Sequence, residues 1–188
     1  LGGEALVPIE CPPPARKGLP ATGQTKCYDL DEGQGWSEVP CDQAECQGHD
    51  GAYAAGCPAE GRFVDNEDGT VTDTCTGLMW QKDTADVNGS GSFELDFPGD
   101  RLNWCNALSY CEQLDFAGHS DWRLPNVREL QSIVDYGRFD PAIDRMFGAV
   151  SDSYWSSSTY IRVFPVGAWG VSFSGGPVSS RDSNWGHQ

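Results

Sequence analysis

Eight cysteines in 188 residues constrain this chain more than any other feature of its sequence. Their number is even, and no two of them show the Cys-x-x-Cys spacing typical of zinc sites and thioredoxin-like redox sites. Paired cysteines stabilise a fold by restricting the unfolded chain, and they persist in oxidising compartments. We therefore expect a secreted, extracellular or cell-surface protein, or a periplasmic one, with four disulfides formed by Cys11, Cys27, Cys41, Cys46, Cys57, Cys75, Cys105 and Cys111.

The pairing of these cysteines stays open, because eight cysteines allow on the order of a hundred connectivities. Local loops that join Cys27 to Cys41 and Cys46 to Cys57 are one solution. Cys105 and Cys111 lie six residues apart on a predicted helix. Their side chains therefore point about 120° apart and need separate partners. Cys75 is the natural candidate for one of them.

The net charge of −16 limits the partners of the protein. Nucleic acids, anionic lipid surfaces and sulfated polysaccharides are polyanions that such a surface repels. Cationic partners, neutral glycans, divalent metals and other proteins, including further copies of the chain, remain as ligands. No apolar run approaches the ~20 residues of a membrane helix, so we expect no membrane insertion. The chain opens without a basic and apolar leader, which predicts that a secreted form has lost its signal peptide.

The sequence changes character near residue 60. Residues 1–60 are rich in cysteine, proline and glycine and show no helix period, so disulfides rather than an apolar core are expected to hold this N-terminal arm and subdomain. In residues 62–73, two β-prone runs flank Asp68 and Gly69, which predicts a hairpin because the turn needs positive φ. Residues 78–80 follow as a predicted buried strand.

Two helices are predicted in the middle of the chain. The first has Asp100 as its N-cap and an apolar face formed by Trp104, Ala107, Leu108, Cys111 and Leu114. The second begins at a capping box of Asn126 and Glu129 and ends at Gly137, and a turn with a short helix is expected over residues 139–150. Serine- and aromatic-rich segments over residues 151–188 suit antiparallel strands. This order predicts an α+β domain at residues 61–188.

Five ordered blocks carry a more specific signal. They are LPATGQT with CYD (19–25 and 27–29), RFVDNEDGTVTD with TGLMWQK (62–73 and 76–82), ALSYC (107–111), DWRLPN with Glu129 and Leu130 (121–126), and YWSSS (154–158). Together they resemble the Lcl C-terminal domain family of bacterial extracellular proteins. The resemblance implies a C-type-lectin-like fold with two helices and short antiparallel strands, related to formylglycine-generating enzymes. Members are typically exported, and some are adhesion or glycan-binding modules.

The chain departs from the family in two respects. It stops at Gln188, where the resemblance implies a final strand, so that strand is missing, replaced or supplied by another subunit. The strongly acidic composition also argues against a sulfated glycan as ligand. An N-terminal arm of residues 1–18 and a donated strand would both suit subunits that exchange segments.

Two candidate sites follow from side-chain chemistry. Asp65, Glu67, Asp68 and Asp73 offer oxygen ligands to calcium, although their spacing does not match an EF-hand and a solvated hairpin tip is the favoured alternative. Calcium is the only cofactor suggested. Trp155, Trp169 and Trp185, with Asp182 and Asn184 as polar neighbours, are candidates for a sugar-stacking platform. The alternative for Trp155 and Trp169 is the core of a small sheet.

No catalytic pattern is visible in the sequence. His49, His119 and His187 are far apart and lie in loops, and neither a nucleophile elbow nor a Cys-His pair occurs. We expect a non-enzymatic binding or adhesion module that recognises a glycan or a surface protein through the loops of residues 151–188. The alternative is a structural subunit of an extracellular filament, coat or larger complex, which uses residues 1–18 for subunit contacts.

Overall fold

A computed structural model describes residues 19–31, 35–44, 50–53, 55–94, 99–160 and 167–182. In order, its elements are β1 (Cys27–Asp31), β2 (Gly35–Val39), α1 (Asp50–Tyr53), β3 (Phe63–Asp65), β4 (Thr70–Asp73), β5 (Met79–Gln81), α2 (Trp104–Gln113), α3 (Val127–Ser132), β6 (Ser153–Tyr160), β7 (Gly167–Ser172) and β8 (Val178–Asp182). The strands form three small antiparallel sheets, ordered β1-β2, β3-β4-β5 and β6-β7-β8. The predicted α+β class is confirmed.

The N-terminal region is more regular than the sequence suggested. β1 and β2 form a hairpin in which Cys27 lies opposite Val39, and the predicted disulfide between Cys27 and Cys41 closes it. Cys27 is 1% exposed. The N-terminal region is therefore not irregular at residues 27–31 and 35–39, because cross-strand hydrogen bonds and a disulfide replace the missing apolar pattern.

The N-terminal region contacts later parts of the chain directly. The backbone N–H of Tyr136 donates to the carbonyl of Thr22 at 2.7 Å, and the chain around Pro20 pairs with Cys57. The disulfide between Cys57 and Cys75 joins the two sides of the boundary predicted at residue 60.

The predicted hairpin at residues 62–73 is confirmed, with Asp65 opposite Val71. Gly69 at its tip has φ of +88° and leaves no room for a Cβ, which would lie 2.7 Å from Cζ of Phe116. The strand predicted at residues 78–80 forms as β5, which pairs with β4 at the edge of the sheet. Met79 is therefore exposed, whereas Trp80 packs against the core, as the alternation of a strand requires.

Helix α2 begins at Trp104 after an N-cap at Asn103, whose side chain accepts a hydrogen bond from the N–H of Asn106 at 2.9 Å. The predicted N-cap at Asp100 is wrong. The Asp100 carboxylate is buried and accepts the backbone N–H groups of Val87 and Glu94 at 2.6 and 2.7 Å. It organises the preceding loop and is not available to the helix.

Helix α3 confirms the capping box of Asn126 and Glu129 but ends at Ser132, so the predicted end at Gly137 is wrong. The chain leaves the helix early because Val134 bridges to Ile143. The short helix expected over 139–150 is also wrong. Its backbone groups bond elsewhere, with the N–H of Ala142 donating to Phe173 and that of Gly148 to Lys82.

Two apolar clusters form the core. The first joins β4, α3, β7 and the segment after α3 through Val71, Leu130, Ile133, Val134, Ala142, Ile143, Phe147, Val171 and Phe173. The second is small and consists of Ala107, Trp155 and Ala168. It fastens α2 to the sheet of β6, β7 and β8, and Nε1 of Trp104 adds a hydrogen bond to the carbonyl of Ser156 at 2.9 Å.

The disulfide pattern differs from the prediction. Cys57 bonds Cys75, so the loop from Cys46 to Cys57 and a bond from Cys75 to α2 are both wrong. Cys105 and Cys111 are free thiols, so the prediction of four disulfides is wrong. Cys75, the partner expected for one of them, is bonded to Cys57 instead. The separation of Cys105 and Cys111 around α2 fits the expectation that they do not pair with each other. Cys11 and Cys46 lie outside the described residues, as do the arm of residues 1–18 and the end of the chain, where a final strand was expected.

Candidate functional site

The acidic residues of the β3–β4 hairpin do not form a metal site. Asp65 binds Nζ of Lys82 at 2.5 Å, and Asp68 accepts the hydroxyl and N–H of Thr70 at 2.6 and 3.0 Å. These hydrogen bonds lower the pKa of both carboxyls. Glu67 is exposed at the tip of the hairpin, whereas Asp73 is fully buried.

The four predicted calcium ligands are therefore separated by burial and by their partners. Nowhere in residues 19–31, 35–44, 50–53, 55–94, 99–160 or 167–182 do three His, Cys, Asp or Glu side chains meet in a metal-binding group. The structure does not bring the four predicted calcium ligands together, and the hydrogen bonds of Asp65 and Asp68 and the exposure of Glu67 fit the alternative of a solvated tip.

Asp73 has a structural role at the base of the same hairpin. Nε and Nη2 of Arg62 donate to its two carboxylate oxygens at 2.8 and 2.5 Å. Burial alone would raise the pKa of Asp73, but the hydrogen bonds of Arg62, Thr76 and Cys75 and the charge of Arg62 outweigh it and hold the pKa below its ordinary value. Asp73 therefore stays ionised inside the fold.

The predicted sugar platform is not assembled as expected. Trp155 is 9% exposed, belongs to the second core cluster and donates from Nε1 to the carbonyl of Leu102 at 3.0 Å. The alternative of a core position is right for Trp155, because the sheet packs this ring against α2. The ring also lines the cavity described below, so its ligand role stays a prediction. Trp169 is half-buried, with its ring 5.6 Å from that of Tyr160. The side chain of Asp182, together with Asn184 and Trp185, lies outside the described part of the chain.

A cavity of about 600 Å³ lies beside α2. Its volume is in the range of small-molecule and cofactor sites. Ala107, Tyr110, Cys111 and Leu114 of α2 form one wall. The other walls come from β5, residues 119–125 and the first core cluster, and include Met79, Trp80, Trp122, Leu124, Leu130, Ile133, Phe147, Tyr154 and Phe173.

The cavity exists because α2 is fastened mainly at its beginning. Only Ala107 of this helix is buried, although the sequence predicted a five-residue apolar face that packs into the core. Cys111 and Leu114, further along the same face, line the cavity instead. The apolar face of α2 was visible in the sequence. Apolar residues recur with the same period whether a helix face packs into a core or borders a cavity, so the sequence did not reveal the cavity.

The cations around the cavity are all bound to carboxylates. Lys82 pairs with Asp65, Arg101 pairs with Asp152, and Arg123 donates from both Nη atoms to both oxygens of Glu129 at 2.7 Å. Glu129 also accepts the N–H of Asn126 at 2.8 Å. The capping box thus holds a charged side chain at the cavity, and the hydrogen bond with Glu129 raises the pKa of Arg123.

The remaining polar groups of the cavity suit binding rather than nucleophilic chemistry. Burial raises the pKa of the Cys111 thiol, which keeps it protonated at neutral pH. Burial likewise raises the pKa of Tyr154 to about 12, and its hydroxyl bonds Thr84 at 2.6 Å and the carbonyl of Val150 at 3.1 Å. Nε1 of Trp80 is buried and has no hydrogen-bond partner within the described part of the chain.

The sequence model of the Lcl C-terminal domain matches residues 69–188, which is more than half of the chain. The chain belongs to the Lcl C-terminal domain family. No curated protein and no solved structure matched it. The match spans α2, α3 and β5–β8, and every residue that lines the cavity falls within it. The cavity is therefore a feature of the Lcl C-terminal domain of this chain.

Among the described residues, no helix has the length and apolar character needed to cross a bilayer.

Proposed function

We propose that this protein is a secreted, non-enzymatic binding module of C-type-lectin-like fold, and that its ligand occupies the cavity beside α2. The single observation that carries the proposal is the cavity itself, which combines a volume of about 600 Å³ with walls of aromatic and aliphatic side chains. Cavities of this kind are the usual sites of ligand binding in proteins.

The disulfides support the proposed location. Cys27–Cys41 and Cys57–Cys75 are both formed, and disulfides of this kind persist outside a reducing cytosol. A protein in such an oxidising compartment meets ligands such as the surface proteins of cells.

The chemistry of the walls favours a protein ligand over a neutral glycan. A sugar ring needs several hydrogen-bonding groups directed at its hydroxyls. Here, however, the side chains of Arg123 and Glu129 satisfy each other, and the hydroxyl of Tyr154 is already bonded. Apolar side chains of a partner would bury against Met79, Leu114 and Phe147, whose side chains carry no group that needs a hydrogen bond.

The proposal is tested by filling the cavity. Cys111→Trp places a large ring on the cavity wall, whereas Cys105→Trp makes the same change on the exposed side of the same helix. Nile red, a neutral apolar dye, serves as the probe. We expect its fluorescence to rise on addition to the wild type and to the Cys105→Trp variant but not to the Cys111→Trp variant.

Both variants should keep the wild-type circular dichroism spectrum, which shows that loss of dye binding does not reflect unfolding. If Cys111→Trp fails this control, Leu114→Trp fills the cavity from the next turn of α2. Equal dye binding by the wild type and the folded cavity-filled variant would refute the proposed site.

A further inference from the structure

We propose that the occupant of the cavity is an apolar stretch of a basic peptide segment in a partner protein; this inference rests on the binding function proposed above. It concerns the charge of the ligand, which the apolar walls alone do not determine. The argument uses the balance of charges around the cavity and the position of the exposed carboxylates.

The lining of the cavity holds more negative than positive charge. Five carboxylates line it, against three cations. Each cation already has a carboxylate partner: Lys82 binds Asp65, Arg101 binds Asp152 and Arg123 binds Glu129. An anionic ligand would therefore lose its hydration at a site with no spare positive charge to replace it.

Two of the carboxylates are available to a positively charged ligand. Asp83 and Asp121 line the cavity, are exposed and have no ion-pair partner among the described residues. A third carboxylate, Asp100, is buried and occupied by backbone N–H groups, so it belongs to the framework. The exposed pair places negative charge next to the apolar interior.

A ligand that matches this arrangement has apolar groups for the interior and flanking cations for Asp83 and Asp121. A peptide with Lys or Arg on either side of Leu, Phe or Ile has this pattern. The net charge of −16 acts in the same direction, because it attracts a basic partner over distances longer than any single contact. A fatty acid, an anionic phospholipid headgroup or an acidic peptide has the wrong sign of charge.

The free thiols provide a direct assay. Cys111 lines the cavity and Cys105 is exposed on the same helix, so ligand binding should protect Cys111 from N-ethylmaleimide and leave Cys105 unchanged. Chymotryptic peptides separate the two positions, because Leu108 and Tyr110 lie between them. The extent of labelling at Cys105 thus serves as the internal control for the activity of the reagent in each sample.

Three synthetic peptides of equal length serve as probes: Lys-Lys-Leu-Phe-Leu-Lys-Lys, Glu-Glu-Leu-Phe-Leu-Glu-Glu and Lys-Lys-Ser-Ser-Ser-Lys-Lys. We expect the first to protect Cys111 and to displace Nile red, and the other two to need at least a tenfold higher concentration. Asp121→Asn should weaken the first peptide roughly twofold to fivefold, as expected for one exposed charge pair. Asp42→Asn, at an exposed position away from the cavity, should have no such effect.

The outcomes separate this inference from the proposed function. If Nile red binds the cavity but the acidic peptide protects Cys111 as well as the basic one, the inferred charge preference is wrong and the binding site stands. The same holds if a neutral oligosaccharide displaces the dye and none of the peptides does. If Nile red itself does not bind, the proposed site fails first.

Discussion

Replacing Asp73 with alanine should destabilise the fold by about 3–5 kcal/mol, because it leaves the buried guanidinium of Arg62 without its counter-charge. Arg62 is 4% exposed and Asp73 is fully buried. Two charged hydrogen bonds of 2.8 and 2.5 Å join them, and Nη1 of Arg62 also donates to the carbonyl of Ser132 at 3.0 Å. The pair therefore connects the β3–β4 hairpin to the end of α3.

The magnitude follows from what each variant leaves behind. In Asp73→Ala, the hydroxyl of Thr76 and the N–H of Cys75 also lose their acceptor. The double variant Arg62→Met with Asp73→Ala removes both charges and leaves unsatisfied only neutral groups, namely these two donors and the carbonyl of Ser132. It should therefore be less destabilised than the sum of the two single variants, by about 0.5–3 kcal/mol of coupling.

Urea unfolding at neutral pH, with the disulfides intact, measures these free energies. Asp65→Ala is the matched control, since it removes a carboxylate from a more exposed ion pair of the same hairpin and should shift the midpoint far less. The reasoning is refuted if Asp73→Ala costs no more than this control, or if the single variants simply add.

The pair also predicts a pH dependence. Because the pKa of Asp73 is depressed in the folded protein, its contribution is fully present above the ordinary carboxyl pKa of about 4. It is lost as the pH falls through the lower, folded-state value. The difference in stability between the wild type and Asp73→Asn should therefore shrink on acidification, and urea midpoints measured from pH 7 down to pH 2 test this.

Three further predictions concern other parts of the fold. Asn126→Ala removes the N-cap of α3 and should cost about 1 kcal/mol in urea unfolding; an unchanged midpoint would contradict the cap. The double variant Cys57→Ser with Cys75→Ser removes a disulfide of sequence separation 18 and should lower the free energy of unfolding by about 2–5 kcal/mol. The control Cys105→Ser should change it by less than about 0.5 kcal/mol. Equal losses in the two variants would argue against the observed pairing. In a titration at 295 nm, Tyr154→Phe should remove a phenol that ionises near pH 12, and loss of one that ionises near pH 10 would be inconsistent with its burial.

Predictions from the sequence were correct where a few neighbouring residues decide the local structure. The Asp68-Gly69 hairpin needs only a turn residue with positive φ between two β-prone runs. The capping box of Asn126 and Glu129 is complete within four residues. The disulfide of Cys27 with Cys41 closes a short loop around a hairpin. In each case, the partner groups are close in sequence, so competition from distant segments is small.

Predictions failed where a distant segment supplied the partner. Asp100 has the right side chain for an N-cap, but the N–H groups of the preceding loop hold it. Backbone groups of residues 139–150 bond to distant segments, with Ala142 bonded to Phe173 and Gly148 to Lys82, instead of forming the predicted helix. Cys75 was assigned to α2 but bonds Cys57.

The amino-acid sequence by itself determined the family and the α+β class, because these follow from short motifs and from the spacing of apolar residues along the chain. Only the tertiary structure decided that Trp155 is a core residue, that Asp73 balances Arg62, and that α2 leaves a cavity between itself and the core. The physical reason is that burial and charge pairing depend on which segments meet in space. A stripe such as Ala107, Cys111 and Leu114 has one period whether it meets a core or borders an open site.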